Sequence, residues 1–185
     1  MKTLANLVTF TTATAALLLA VSSQGADEAE VERHRKAAEQ GSVFDQTVLG
    51  GYYESGNGVK TNTVEAVKWY QKAAEKNYPV AQVLLGFCYH NGTGVATNEI
   101  EAIKWFRKAA EQGHPTGQYM LGSFYQYGRG VATNYVEAEK WFNLSAEQDY
   151  DLAKQTQSEV AQRLTQKQLE EARRLAREFK EQKKP

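Results

Sequence analysis

Gly86, Tyr89, Gly92-Thr93-Gly94-Val95, Asn98, Ala102, Trp105 and Ala109-Ala110 form a pattern that returns 36 residues earlier and 36 residues later. The earlier copy reads Gly50, Tyr53, Gly56-Asn57-Gly58-Val59, Asn62, Ala66, Trp69 and Ala73-Ala74. The later one reads Gly122, Tyr125, Gly128-Arg129-Gly130-Val131, Asn134, Ala138, Trp141 and Ser145-Ala146. A fixed period of this size marks a solenoid, in which each unit buries its apolar face against its neighbours.

Each unit holds two helical patterns. In the third copy the first runs from about Pro115 to Tyr127, with Gly117, Leu121, Gly122 and Tyr125 on one face. The second runs from about Tyr135 to Gln148, with Ala138, Trp141, Phe142, Ser145 and Ala146 inward. Asn62, Asn98 and Asn134 precede the second helices as N-caps. Glu65, Glu101 and Glu137, three residues on, are placed to reach back as a capping box. Gly41, Asn77 and Gly113 stand where helices end on a left-handed residue, and Pro79 and Pro115 at the first turn of the next. The Gly-x-Gly-Val loop follows a helix in every copy, whereas a dinucleotide loop follows a strand, so it reads as a tight turn. Gly50, Gly86 and Gly122 let paired helices approach closely, and Val59, Val95 and Val131 fold back onto the core.

Ala81, Leu85, Gly86, Tyr89, Gly92, Gly94 and Val95, continued by Asn98, Ala102, Trp105 and Ala109-Ala110, resemble the Sel1-like repeat, a branch of the tetratricopeptide-like α/α solenoids. The resemblance covers about residues 42–149 as three copies, at 42–77, 78–113 and 114–149. It implies an all-α, right-handed α/α superhelix whose concave face binds other proteins. It also touches a cysteine-rich secreted group with reported penicillin binding or β-lactamase activity. The paired cysteines of that group are missing here.

The flanks cap the solenoid. Residues 24–41 read as an N-terminal capping helix ending in a copy of the Lys108 to Gly113 segment, with Arg33 in place of the repeat's Trp. Residues 150–185 read as a degenerate first helix over 151–164, a Thr165/Gln168 capping box, and a C-terminal helix striped by Leu169, Ala172, Ala176 and Phe179. Residues 1–23 have a signal-peptide pattern: Lys2, an uncharged apolar run from Leu4 to Val21, and small residues at Val21-Ser22-Ser23. This predicts export to a bacterial periplasm or beyond, with no membrane span left after cleavage.

The 22 basic residues balance the 22 acidic ones, which argues against nucleic-acid binding. Cys88 is the one cysteine and stands where the other copies have Tyr52 and Phe124, so it reads as a small core residue. His34, His90 and His114 have no metal-ligand spacing, and no nucleophile motif occurs. His114, directly before Pro115, reads as a helix-start residue. No cofactor or metal is expected.

Function is therefore expected from the first-helix positions that the packing face leaves free: Thr47, Gly51 and Glu54, then Val83, Phe87 and His90, then Tyr119, Ser123 and Gln126, with Tyr127 beside them. In tetratricopeptide-like folds the equivalent positions line the groove, and exposed aromatics there are typical anchors. The leading expectation is a non-catalytic scaffold or regulator in the cell envelope, holding a protein or peptide in the concave groove. A hydrolase acting on cell-wall or β-lactam substrates rests on family analogy alone. The third alternative is a structural piece that self-associates through its C-terminal helix.

Overall fold

The fold is a row of helical hairpins, seen in a computed structural model that describes residues 25–183. The expected signal peptide, residues 1–23, lies outside the described residues. Among the latter, nine helices and no strand occur: α1 (Glu28–Glu39), α2 (Val43–Ser55), α3 (Thr63–Glu75), α4 (Pro79–Asn91), α5 (Glu99–Glu111), α6 (Pro115–Tyr127), α7 (Tyr135–Ala146), α8 (Asp151–Ala161) and α9 (Gln166–Gln182). None of these helices is long and apolar enough to cross a membrane.

The caps are where the spacing places them. The side chains of Asn62, Asn98 and Asn134 accept from the backbone N–H three residues on, at 3.1 Å each. Gly41, Asn77 and Gly113 are left-handed, and Asp149 takes the same conformation one repeat later. The expected glutamate half of the capping box is not made. Each cap's own N–H instead donates to the carbonyl of Tyr53, Tyr89 or Tyr125 on the preceding helix, at 2.8 to 2.9 Å. The three glutamates turn outward to Lys68, Lys104 and Lys140. That exchange ties the second helix to the first as well as capping it.

Packing runs along the row. Within each repeat the first and second helices form the tightest pairs, and each second helix then meets the next first helix. First helices also touch one another, α4 with α6 and α6 with α8, more than α3, α5 and α7 do, so the first helices line the inside of the curve. Phe106, fully buried, carries the centre: its ring stands edge-on to Phe87 at 5.2 Å and to Phe124 at 5.3 Å. Burying such a side chain contributes about 1.5–3 kcal/mol. The second glycine of each turn serves the stacking too. A Cβ on Gly94 would stand 2.2 Å from the Thr63 carbonyl oxygen, so the turn of one repeat rests on the start of the previous repeat's second helix.

A polar ladder accompanies the apolar core. Gln46, Gln82 and Gln118 are buried, and each donates from Nε2 to the carbonyl of Ala38, Ala74 or Ala110, at 2.9, 3.2 and 3.4 Å. The Oε1 of Gln82 accepts from Gln112 at 2.7 Å, and that of Gln118 from Gln148 at 2.9 Å. The first repeat has Lys76 at this position. Its ammonium goes to the Gly41 carbonyl, and Gln46 Oε1 has no partner among the described residues.

The ends differ from the middle. Arg33 is solvated, with its side chain 73% exposed, as an outer cap face requires. At the other end α9 turns back onto α7 rather than onto α8. Its apolar stripe is used within the chain: Ala172 and Ala176 are buried, and the Phe179 ring stands edge-on to Trp141 at 5.1 Å. Glu139 of α7, at the core position held by Val67 and Ile103 in the other copies, is fully buried. Its Oε1 accepts from Gln157 at 3.2 Å, while Oε2 has no partner among the described residues. Burial raises the Glu139 carboxyl above its ordinary range, opposed by the Gln157 bond and the charge of Arg173.

Candidate functional site

The expected groove residues separate into two sets. Val83 and Phe87 are core, at 0% and 8% exposure. Both belong to one cluster with Phe106 of their own repeat's second helix and with Met120 and Phe124 of the next repeat, so the two repeats close over them together. Thr47 and Gly51 are buried as well, and Glu54 accepts from the Tyr70 hydroxyl at 2.7 Å. Toward the third repeat the surface opens. Tyr119 and Ser123 are half-buried, Gln126 is buried, and Tyr127 is 61% exposed.

Tyr127 owes its exposure to its place. It is the last residue of α6, and Gly128 at φ 68 turns the chain immediately after it. The Arg129 guanidinium lies 5.7 Å from the Tyr127 ring centre. Arg129 is held in turn by His90, its Nη1 standing 3.1 Å from His90 Nε2, while His90 Nδ1 stands 2.9 Å from Glu99 Oε2. Arginine only donates, so Nε2 is the acceptor and the ring proton sits on Nδ1, facing the carboxylate. His90 also stands edge-on to Phe124 at 5.4 Å. A Glu–His–Arg chain thus crosses from the second repeat to the third and fixes the cation beside the exposed ring.

Behind this pair, Gln126, Tyr127, Tyr135, Glu159, Gln162 and Arg163 line a cleft of about 550 Å³ between α6, α7 and α8. Gln126 is 7% exposed and its Oε1 has no partner among the described residues. The equivalent positions are occupied: Glu54 by Tyr70, His90 by Glu99. Phe106 and Phe142 stand where the Tyr70 hydroxyl would be, which removes the donor from the later copies. Arg163 reaches the Tyr135 hydroxyl at 3.3 Å and lies 5.6 Å from that ring's centre. Tyr119 forms the adjoining wall, its ring 5.6 Å from Phe142 and 5.3 Å from Tyr150, and burial raises its phenol above the ordinary value. Rings, one unpaired amide oxygen and two arginines make a surface suited to holding a polar segment.

The remaining candidates for chemistry are structural. Burial pushes the Cys88 thiol up to about 12, so it stays protonated. His114 caps α6, its Nδ1 facing the Gly117 N–H at 3.5 Å, and burial lowers it to about 4. The Ser42 hydroxyl donates to Asp45, whose other carboxylate oxygen takes His34 at 2.6 Å. The carboxylate therefore separates serine from imidazole; Ser42 caps α2, and the Asp45–His34 contact ties α2 to α1. Among the described residues no three histidine, cysteine or acidic side chains converge to hold a metal. Sequence reasoning missed Tyr135, Arg163 and Arg129: Arg163 reaches the site only because α8 packs there, Tyr135 comes from the start of α7, and Arg129, though next to α6 in the chain, is fixed by His90 of the preceding repeat.

Hairpins stacked in register define an all-α repeat solenoid. The chain belongs to the Sel1 repeat family, which matches residues 46–78, 79–114 and 115–150. Sel1 repeat proteins are generally protein-interaction scaffolds. The chain is 34% identical to c5321 of uropathogenic Escherichia coli, a protective antigen displaying an SLR fold, with a TM-score of 0.79 over 91% of this chain. It spans only 37% of that antigen's length. A Sel1 repeat protein of Oxalobacter formigenes is 36% identical, with a TM-score of 0.66 over 70% of this chain and 98% of that one. Cysteine-rich protein B of Helicobacter pylori, at 24% identity and a TM-score of 0.54 over 77% of this chain and 95% of that one, shares the fold. No curated protein matches the chain.

Proposed function

We propose that this chain is a non-catalytic scaffold of the bacterial cell envelope, exported by residues 1–23, which holds a segment of a protein partner on its first-helix face. The contact is centred on Tyr127 and the cleft behind it, with Tyr119, Ser123 and His90 at its margin. The observation that carries this reading is Gln126. A buried amide oxygen without a partner costs about 1–3 kcal/mol, and an extended peptide crossing the cleft relieves that cost with one backbone N–H. Tyr127 and Tyr135 offer flat amphipathic faces to its side chains, as interface anchors do, and Arg129 and Arg163 favour a carboxylate nearby. Three repeats give a short groove, so binding in the micromolar range is expected.

A random peptide library displayed on phage and selected on the chain tests this. Enriched sequences whose binding drops at least tenfold with Tyr127→Ala, and whose amide signals map to Gln126, support the reading. Enriched sequences indifferent to Tyr127 place the site elsewhere. Fusing residues 1–23 to a periplasm-dependent reporter tests export separately.

A further inference from the structure

A second cleft lies on the first repeat, apart from the Tyr127 surface. Gly113, Gln118, Leu144, Glu147 and Gln148 line a cleft of the third repeat whose far wall is α9 of the same chain, through Phe179, Lys180 and Lys183. Subtracting two repeats gives Gly41, Gln46, Lys72, Glu75 and Lys76, and these, with Trp69, line a cleft of about 440 Å³ on the first repeat. The same surface therefore occurs twice. In the third repeat an amphipathic helix fills one side of it, Phe179 against Trp141 at 5.1 Å and Lys180 against Glu147 at 2.7 Å. The first-repeat cleft has no α9 wall.

Two buried polar atoms mark the first-repeat slot. Gln46 Oε1 and Trp69 Nε1 both lack partners among the described residues, although Gln46 is 4% and Trp69 7% exposed. Their counterparts are satisfied: Gln118 Oε1 by Gln148, and Trp141 Nε1 by Glu137 at 3.2 Å. A donor and an acceptor buried along one cleft without partners are matched by a ligand that brings one of each.

Charge decides what the ligand is. Glu111 and Glu147 make the third-repeat slot acidic; Lys180 of α9 pairs with Glu147, and Lys183 lines the same cleft. The first-repeat slot has Glu39 and Glu75 but also Lys72 and Lys76, two cations where the third repeat has Leu144 and Gln148. A lysine-bearing helix such as the α9 of a second copy meets like charge here. We infer that the first-repeat slot docks an amphipathic helix of a different protein, which presents an aromatic ring to Trp69 and carboxylates to Lys72 and Lys76. Lys72 Nζ now lies 3.7 Å from the Trp69 ring centre, so a carboxylate that draws it aside opens that ring to the incoming aromatic.

Two synthetic peptides test the inference. One has the sequence of residues 166–183, and the other differs by K180E and K183E. Each is titrated onto the ¹⁵N-labelled chain while the indole N–H signals of the three tryptophans and the Gln46 amide are followed. The charge-reversed peptide is expected to shift the Trp69 and Gln46 signals saturably, at least tenfold more tightly than the native sequence. In a Lys72→Leu/Lys76→Gln chain, whose slot then matches the third repeat, the preference inverts. Circular dichroism confirms that this variant folds. No saturable shift at Trp69 with either peptide in either chain overturns the inference, as do shifts confined to Trp141, which would mean displacement of α9.

Discussion

The ring edge of Phe106 occupies the space that a Cβ on Gly86 would need, 2.7 Å away. The same relation holds for Gly50 with Tyr70 at 2.6 Å and for Gly122 with Phe142 at 2.9 Å. Each hairpin is thus locked by a ring seated on a glycine, and the ring of the middle repeat cannot retreat because Phe87 and Phe124 flank it.

Gly86→Ala therefore destabilises the chain. Helix propensity alone would favour alanine by about 1 kcal/mol. The overpacking it forces costs about 1–3 kcal/mol. A net loss of up to about 2 kcal/mol in urea unfolding is expected. A gain would mean that Phe106 moves freely.

Lys76→Gln stabilises. It restores the residue type that serves Gln82 and Gln118 and gives Gln46 Oε1 the donor it lacks. Gln148 also donates to the Gly113 carbonyl at 2.9 Å, so the bond that Lys76 makes to Gly41 is kept in kind. The expected gain is about 1 kcal/mol. No gain when Gln46 is present, or an equal gain in a Gln46→Leu background, contradicts the ladder.

Glu139 sets a pH dependence. Its carboxyl is raised in the folded chain, so the folded state binds the proton more tightly than the unfolded one. Its favourable contribution is full below the unfolded value of 4.5 and is lost as pH rises through the folded value. Glu139→Ile, the side chain of the equivalent position 103, is expected to stabilise by about 1–3 kcal/mol at neutral pH and to remove that dependence. Thermal unfolding across pH 4 to 8 measures both.

His114 acts in the opposite sense. Its folded value, about 4, lies below the ordinary 6.5, so stability is full above 6.5 and falls as pH drops toward 4. His114→Asn keeps a cap acceptor without a titrating group. The variant is expected to lose less stability than the parent between those two pH values in the same unfolding series.

Much of this architecture is legible in the sequence, for a local reason. Asn62, Asn98 and Asn134, the left-handed residues Gly41, Asn77 and Gly113, and Pro79 and Pro115 act on their own turn, so they mark helix ends directly. Val83 and Phe87 are core rather than groove because Met120 and Phe124 of the next repeat cover them beside Phe106 of their own, and the spacing within one repeat carries no record of that second cover. The glutamine ladder left a signal in Gln46, Gln82 and Gln118, polar residues in register on a core-facing side. The return of α9 onto α7 left little, since it depends on the turn after α8 and on one ring, Phe179. Arg163 joins the cleft for the same non-local reason.

The most direct test of the proposed binding surface is photocrosslinking in cells that express the chain, with a benzophenone amino acid at position 127 on the first-helix face or at the exposed position 104 on a second helix. The account predicts one discrete adduct from position 127, lost when Gln126→Leu is added and absent from position 104. Adducts from position 104 alone, or a 127 adduct unchanged by Gln126→Leu, would contradict it.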